Sequence, residues 1–320
     1  MPATTPLPFV DVLDHGIHVI DTGFHRPRFD ASYLIVEQGR GAFVDTGTNY
    51  SVPRLLAAVD AAGLTRDAVD FVIATHVHLD HAGGVGLLMQ QLPRARLVVH
   101  ARGAPHLIDP SFLVAGASAV YGADEVTRTY GNVVGVPADR VLTTDDGMVL
   151  GLADRLLTFI DTPGHARHHH CIWDERSHGF FTGDTFGLSY REFDTAQGPW
   201  LLPTTTPVQF EPEPLRHSVQ RMLAFAPERM YLTHYGAVGD VARLGAGLLD
   251  QLAQMVELGQ SLRSHPDRHA ALMQGLAGMY TQRLAQHGCT MDPTAALKLL
   301  AMDLELNAQG MAIWLDRKPR

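Results

Sequence analysis

The sequence contains very little cysteine and no long apolar run. Cys171 and Cys289 are the only cysteines among 320 residues, so a disulfide framework is excluded and a reducing compartment is favoured. No stretch approaches the roughly 18 consecutive apolar residues that a membrane span needs. The N-terminal residues MPATTPLPFVDVLDHG have no basic start and no apolar segment, which predicts that no signal peptide is present. Together these absences predict a cytoplasmic protein without a membrane partner.

Positive charge is also sparse. The net charge is −9 with histidines neutral, and the basic residues are scattered apart from the short terminal DRKPR. Binding to nucleic acid without sequence preference needs clustered lysine and arginine, so we expect no nucleic-acid partner. The chain has no GxSxG motif, and its GGVG lacks the strand and helix context of a dinucleotide-binding fingerprint. The expected partner is a small-molecule substrate.

Short β-like segments alternate with helical ones in the first part of the chain. GIHVIDTG, ASYLIVEQG and GAFVDTG are bounded by turn residues and predict strands. SVPRLLAAVDAAGL and GVGLLMQQLP have helical spacing, whereas AVDFVIATH and ARLVVH predict buried strands. A second set of strands is predicted in MVLGL, RLLTFIDTPGH, HHHCIWDE and GFFTGD. This alternation predicts layers of the α/β class.

From residue 241 onward the pattern is helical throughout. Apolar residues recur every three or four positions from Val241 to Leu262 and again from Leu297 to Leu315. A third helix is predicted between Pro266 and Gly288. We therefore predict two domains, a catalytic domain over residues 1–240 and a helical extension over residues 241–320. The apolar stripe of the extension also suits a homodimer interface.

Polar side chains are concentrated directly after one predicted strand, in ATHVHLDHAGG at residues 74–84. These residues would lie at the carboxyl end of that strand, where α/β sheets build sites. His76 and His78 can turn toward one point, and Asp80 and His81 toward a second point nearby. Imidazole nitrogen and carboxylate oxygen suit a divalent metal such as zinc. A lone buried histidine is usually a hydrogen-bonded core residue, but four such residues at this spacing predict metal ligands.

Three further candidate ligands follow predicted strands downstream. His165 stands in DTPGH, Asp184 in FFTGDT and His234 in MYLTHYG, each after an apolar segment and at a turn. Loops in these positions converge over one edge of a layered sheet, so we expect the three side chains to join the first four. A carboxylate has two oxygens, and we therefore expect Asp184 to bridge two ions.

These motifs resemble the metallo-β-lactamase superfamily and, within it, the glyoxalase II and lactonase-like hydrolases. The resemblance covers about residues 12–240 and rests on HVHLDH at 76–81, TPGH at 162–165, TGD at 182–184, LTHYG at 232–236 and VDTG at 44–47. It implies an αββα sandwich of two mixed sheets with outer helices. It also implies one metal site of His76, His78 and His165, a second of Asp80, His81 and His234, and Asp184 as the bridge between them.

The resemblance implies two divalent metal ions, with zinc as the first expectation and iron or manganese as alternatives. Such ions hold a hydroxide that attacks a carbonyl or phosphoryl centre, and Asp80 or Asp184 is expected to take up the proton. Tyr190 is a candidate donor to the oxyanion, or a packing residue. Asp45 is expected either to orient the site or to cap a turn, and His169 is expected to hydrogen-bond a ligand.

The sequence thus predicts a metal-dependent hydrolase of an ester, thioester or lactone. One alternative is a phosphodiesterase that uses the same dinuclear site. The other is a metal-containing sensor without catalytic activity, which binds a partner through its helical tail. A full set of seven candidate ligands favours the enzyme.

Overall fold

A computed structural model describes residues 7–205 and 208–317, and this part of the chain divides into two compact units. Unit 1 takes residues 7–161, 168–183 and 228–239. Unit 2 takes residues 162–167, the described residues of 184–227, and residues 240–317. The domain boundary after residue 240 stays a prediction.

Unit 1 contains a seven-stranded sheet whose strands are ordered as in the chain. The strands are β1 (Val10–Val12), β2 (Ile17–Asp21), β3 (Ala31–Glu37), β4 (Arg40–Val44), β5 (Val69–Ala74), β6 (Arg96–His100) and β7 (Val141–Thr144). Strands β1 to β4 pair antiparallel, whereas β4 to β7 pair parallel. The parallel half brings the carboxyl ends of β4, β5 and β6 to one edge.

A second, six-stranded sheet of unit 1 has the order β13-β12-β11-β10-β9-β8. Its strands are β8 (Val149–Leu152), β9 (Arg155–Asp161), β10 (His170–Asp174), β11 (Gly179–Gly183), β12 (Arg229–Leu232) and β13 (Gly236–Val238). Only the pair β11 and β12 is parallel among these strands. Both sheets are therefore mixed, as predicted.

The two sheets share one apolar core. Tyr33 and Ile73 of the first sheet are buried in the same cluster as Phe159, Phe181 and Tyr231 of the second. The rings of Tyr33 and Phe181 meet edge to face at a centroid distance of 5.2 Å, a favourable aromatic geometry. Successive side chains of a strand point to opposite faces of the sheet, so every second residue of a strand can face this core.

Unit 1 also contains the helices α1 (Val52–Ala61), α2 (Leu79–Ala82), α3 (Val85–Gln91), α4 (Ala104–Ile108), α5 (Ser111–Tyr121) and α6 (Ala123–Tyr130). Helices α1 to α4 pack against the first sheet. Leu55 and Val59 of α1 and Leu88 of α3 are fully buried in one cluster with Phe43 and Leu97 of the sheet. The helices predicted in SVPRLLAAVDAAGL and GVGLLMQQLP are confirmed.

Unit 2 contains α7 (Pro212–Leu223), α8 (Val241–Ser261), α9 (Arg268–Gln286), α10 (Pro293–Leu299) and α11 (Ala301–Asp316). The helical C-terminal region is confirmed, and the side chain of Asp292 caps α10 by accepting from the Ala295 N–H at 3.1 Å. The apolar residues from Leu297 to Leu315 do not lie on one continuous helix, because Leu300 separates α10 from α11. No helix within the described residues is long and apolar enough to cross a membrane.

Candidate metal centre

Unit 1 places five of the predicted metal ligands just beyond the ends of two strands. His76 and His78 follow β5, and His234 follows β12. Asp80 and His81 lie on α2, a single helical turn that the sequence did not predict. The five side chains come from both sheets of the unit, so the core that joins the sheets also positions them.

Asp80, His81 and His234 form a compact group of metal-binding atoms. One ligand atom from each lies within 4.8 Å of the others. The Asp80 Oδ2 atom is 3.4 Å from His234 Nε2 and 3.7 Å from His81 Nε2. Two ligands about 2.1 Å from a tetrahedral ion are about 3.4 Å apart, so this spacing fits a divalent metal.

His76 and His78 lie beside this group. His76 Nε2 and His78 Nδ1 are 2.7 Å apart, and the rings of His76 and His81 have centroids separated by 4.1 Å. His76 is fully buried. The pair therefore presents two imidazole nitrogens at one point, as the sequence predicts for a metal-binding pair.

Asp45 orients His81. Its Oδ2 atom accepts from His81 Nδ1 at 2.9 Å and from the Thr233 hydroxyl at 2.8 Å, and its Oδ1 atom accepts from the Thr75 N–H at 2.8 Å. A proton on Nδ1 leaves Nε2 of His81 as the donor atom that faces Asp80. Asp45 has a φ of 55°, an uncommon region for a residue other than glycine. Asp45 was expected either to orient the site or to cap a turn, and these contacts fit the orienting role.

His234 is oriented by the backbone. Its Nδ1 atom lies 3.0 Å from the Phe29 carbonyl oxygen. A carbonyl only accepts, so Nδ1 carries the proton and Nε2 is left to face Asp80. The next residue, Asp30, is fully buried, and the Thr22 hydroxyl donates to it at 2.7 Å. Burial raises the pKa of Asp30 to about 7, while the nearby imidazoles of His234 and His81 act in the opposite direction.

His169 contacts a predicted ligand through its ring. It stacks on His76 with a centroid distance of 4.8 Å and an interplanar angle of 25°. A Cβ atom on Gly183, whose φ is +46°, would lie 2.6 Å from His169 Nε2 and 2.6 Å from the Thr75 hydroxyl oxygen. Glycine at this position therefore allows His169 and Thr75 to approach the end of β11.

Unit 2 contains the other two predicted ligands as a pair. His165 Nε2 and Asp184 Oδ2 are 3.3 Å apart, and both residues are buried. Gly164 has a φ of +133°, and a Cβ atom there would lie 2.2 Å from the backbone nitrogen of Leu215. The Pro-Gly turn before His165 is thus held tightly against the start of α7.

Tyr190 lies in unit 2, where its hydroxyl hydrogen-bonds the carboxylate of Asp303. Both carboxylate oxygens are 3.1 Å from the hydroxyl, and the tyrosine is only 1% exposed. Its expected role as a donor to the substrate stays a prediction.

Sequence reasoning missed three supporting residues and one cavity. Thr75 and Thr233 hydrogen-bond Asp45 from 30 and 188 positions away, and Asp30 is buried beside Thr22; no local motif distinguishes these three residues. The one signal in the sequence is that Thr75 and Thr233 each stand directly before a predicted metal ligand. The missed cavity is lined in part by residues 22–25, and His25 belongs to no recognised sequence motif.

The chain is similar to several proteins by sequence and by structure. ST1585, a metallo-β-lactamase fold-containing protein of Sulfurisphaera tokodaii, is 25% identical over 226 residues, which cover 70% of this chain and 79% of that protein. The crystal structure of ST1585 superposes with a TM-score of 0.66 at 21% identity and covers 93% of this chain and 99% of that one. At this identity the superposition shows a shared fold.

Two similar proteins are named thioesterases. Acyl-coenzyme A thioesterase MBLAC2 of Gallus gallus is 33% identical over 206 residues, which cover 59% of this chain and 67% of that protein. Atrochrysone carboxyl ACP thioesterase of Aspergillus fumigatus is 25% identical over 183 residues, which cover 56% of this chain and 48% of that protein.

The family follows from these findings together. A family model of the metallo-β-lactamase superfamily matches residues 25–234, which include all seven predicted metal ligands. The two mixed sheets and the helices agree with that match, so the predicted α/β fold class is confirmed. The chain belongs to the metallo-β-lactamase superfamily.

Proposed function

We propose that the protein is a metal-dependent hydrolase that cleaves a thioester bond of a small-molecule substrate. The observation that carries the proposal is the spacing of Asp80, His81 and His234, three donors oriented for one ion in a chain of this superfamily. The two similar proteins named thioesterases favour the thioester over the ester and lactone bonds of the wider class.

The donor set fits the divalent metals of this fold. Within unit 1, Asp80, His81 and His234 would hold one ion, and His76 and His78 would be ligands of a second. Imidazole and carboxylate ligands suit zinc, and they also accept iron or manganese. When bound, such ions lower the pKa of water and polarise a carbonyl oxygen.

The chain's own residues would hold the reacting groups in place. Asp45 and the Phe29 carbonyl fix the protons of His81 and His234 on Nδ1, so both Nε2 atoms face the same point. The carboxylate of Asp80 is partly exposed, with 27% of its side-chain surface accessible. An accessible carboxylate beside the reaction centre can accept the proton released when water attacks the carbonyl; Asp184 is the second candidate for that role.

The test combines metal content with a substrate panel. Tag-free protein purified without chelator is expected to contain about two equivalents of zinc, iron or manganese by elemental mass spectrometry. It is expected to hydrolyse acyl thioesters faster than lactones and nitrophenyl phosphodiesters. His81→Ala is expected to lower thioester hydrolysis more than about 100-fold. His217→Ala, a change at an exposed position of α7, provides the matched control.

Two results would redirect the proposal. Hydrolysis of the phosphodiester alone would mean that the site acts on a phosphoryl centre. Failure to hydrolyse any member of the panel, in protein that retains its metal, would favour the sensor that binds a partner.

A further inference from the structure

Unit 1 has a polar cavity of about 390 Å³. It is bordered by residues 22–25 after β2, by the loop that leads into α1, and by the end of α6. This volume lies within the range of about 300–1,000 Å³ that is usual for small-molecule sites. It is larger than a single inorganic anion requires.

The side chains around the cavity suit a phosphate group. Arg54 and Arg128 both line it, together with the hydroxyl-bearing residues Thr22, Thr48 and Thr129. Guanidinium groups and hydroxyls are the usual protein donors to phosphate oxygens. No aspartate or glutamate is among the described residues of the lining.

Arg54 is held in place from two sides. Its Nη1 atom donates to the Asp21 carbonyl at 2.8 Å and lies 3.4 Å from the Asp21 carboxylate. A Cβ atom on Gly23, whose φ is +78°, would lie 2.8 Å from the Arg54 Cζ atom. Glycine at position 23 therefore leaves the space that the guanidinium occupies. The partner of Arg128 is Glu125, and this pair is exposed and hence weak.

The cavity adjoins the Asp80, His81 and His234 group. His25 lines the cavity, and its ring is 5.3 Å from the ring of Phe29. Phe29 is in turn 5.3 Å from the ring of His234. The cavity is thus separated from the candidate metal ligands by one aromatic ring. A long substrate can place one end in the cavity and the other at the metal group.

We propose that this cavity binds the phosphate end of a phosphopantetheine thioester. Such a substrate has a phosphate at one end of a flexible arm and the thioester at the other. The inference rests on the proposed thioester hydrolysis and adds to it the class of acyl carrier. Arg54 and Arg128 would contact the phosphate while the acyl carbonyl reaches the metal group.

The test uses two probes that differ by a single phosphate. Binding of 4′-phosphopantetheine and of pantetheine to the metal-containing protein is measured by calorimetry. We expect 4′-phosphopantetheine to bind at least about tenfold more tightly, as is usual when charged hydrogen bonds are gained. Arg54→Gln and Arg128→Gln are each expected to remove most of this difference. Arg96→Gln, at an exposed position of β6, is the matched control.

A kinetic comparison separates this inference from the proposed function. With acyl-coenzyme A as substrate, the arginine variants are expected to raise KM about tenfold and to leave kcat near the wild-type value. With the phosphate-free acyl-N-acetylcysteamine, neither constant should change. A thermal melting curve of each variant shows whether Arg54→Gln impairs folding. Because Arg128 is exposed, Arg128→Gln tests the inference even if Arg54→Gln is unstable.

Each outcome has one meaning. Equal binding of the two probes, or an equal loss on the phosphate-free thioester, would overturn the inference while thioester hydrolysis stands. Absence of all thioester hydrolysis would overturn the proposed function, and arginine-dependent binding of 4′-phosphopantetheine would then still support the cavity. Coenzyme A binding much more tightly than 4′-phosphopantetheine would identify the free coenzyme as the carrier. Equal binding of coenzyme A and 4′-phosphopantetheine would point to the phosphopantetheine arm of a carrier protein.

Discussion

The carboxylate of Asp45 collects donors from three separate segments of unit 1. Thr75 and His81 follow β5, and Thr233 follows β12, yet all three hydrogen-bond this one side chain. The sequence predicted two roles for Asp45 and could not separate them, because the donors lie 30, 36 and 188 positions away. The ligands themselves were easier to predict, since each follows a strand in a motif of its own.

Asp45→Asn is expected to lower metal affinity about 10-fold to 100-fold and to reduce hydrolysis in parallel. The amide has one acceptor oxygen instead of two, so it cannot receive His81, Thr75 and Thr233 together. Metal affinity is measured by competition with a chromophoric chelator. Asp139→Asn, at an exposed position, is the control. Unchanged metal affinity in the variant would show that His81 does not depend on Asp45.

Asp30 predicts a pH dependence of stability in the metal-free protein. Burial raises the pKa of Asp30 from 3.8 to about 7. Between these values the unfolded chain releases the proton and the folded chain keeps it, so stability falls as pH rises from about 4 to about 7. Asp30→Asn should remove this contribution. Urea unfolding across that range should show the variant gaining stability relative to wild type as pH rises; parallel profiles would contradict the assignment.

At the scale of elements, longer helices and strands were easier to predict from the sequence than short ones. The helices α1, α3, α8 and α9 and the longer strands were predicted because each shows several periods of apolar residues. The strands β1, β7 and β13 have three, four and three residues and were not predicted, although the equally short strand β8 was predicted in MVLGL. The turn α2 has only four residues, so its helical character was not predicted.

Helix α11 holds the segment that follows Asp184 in unit 2. Asp303 accepts from Tyr190, and Asn307 donates to the Pro203 carbonyl at 3.1 Å and accepts from the Thr205 N–H at 2.8 Å. Partners about 100 positions apart leave no trace in local spacing. The sequence therefore predicted the helical region, but not its contact with the segment that follows Asp184.

Tyr190→Phe is expected to lower the free energy of unfolding by about 1–3 kcal/mol, because a buried carboxylate loses a donor. Chemical unfolding measures this cost. The predicted role as a donor to the oxyanion requires, in addition, that kcat fall about 100-fold or more. A kcat near that of wild type would contradict that role and leave Tyr190 as a structural residue.

Across the whole of unit 1, Arg155 connects the two sheets. It lies on β9, is fully buried and forms a bidentate ion pair with Asp174 of β10. It also donates to the His15 carbonyl at 2.6 Å and lies 3.9 Å from Glu37 of β3. A buried charge of this kind is tolerated only when it is fully paired.

Arg155→Ala is expected to destabilise the protein by about 3–5 kcal/mol, since it leaves the Asp174 carboxylate buried without its cation. Arg96→Ala, at an exposed position, should change stability by less than about 0.5 kcal/mol. Urea unfolding followed by circular dichroism compares the two. A loss as small as that of the control would mean that the stability of unit 1 does not depend on Arg155.

The order of segments in unit 2 has a consequence for how the protein is made. The unit is assembled from residues 162–167, the described residues of 184–227 and residues 240–317, which alternate along the chain with parts of unit 1. During synthesis, unit 1 can complete its second sheet once residue 239 has left the ribosome. Asp303 and Asn307 are synthesised about 100 residues after their partners Tyr190 and Thr205. At usual translation rates this delay is about 5–20 s. For that interval the nascent chain carries Asp184 next to an incomplete core, and chaperone binding is expected to concentrate on that segment.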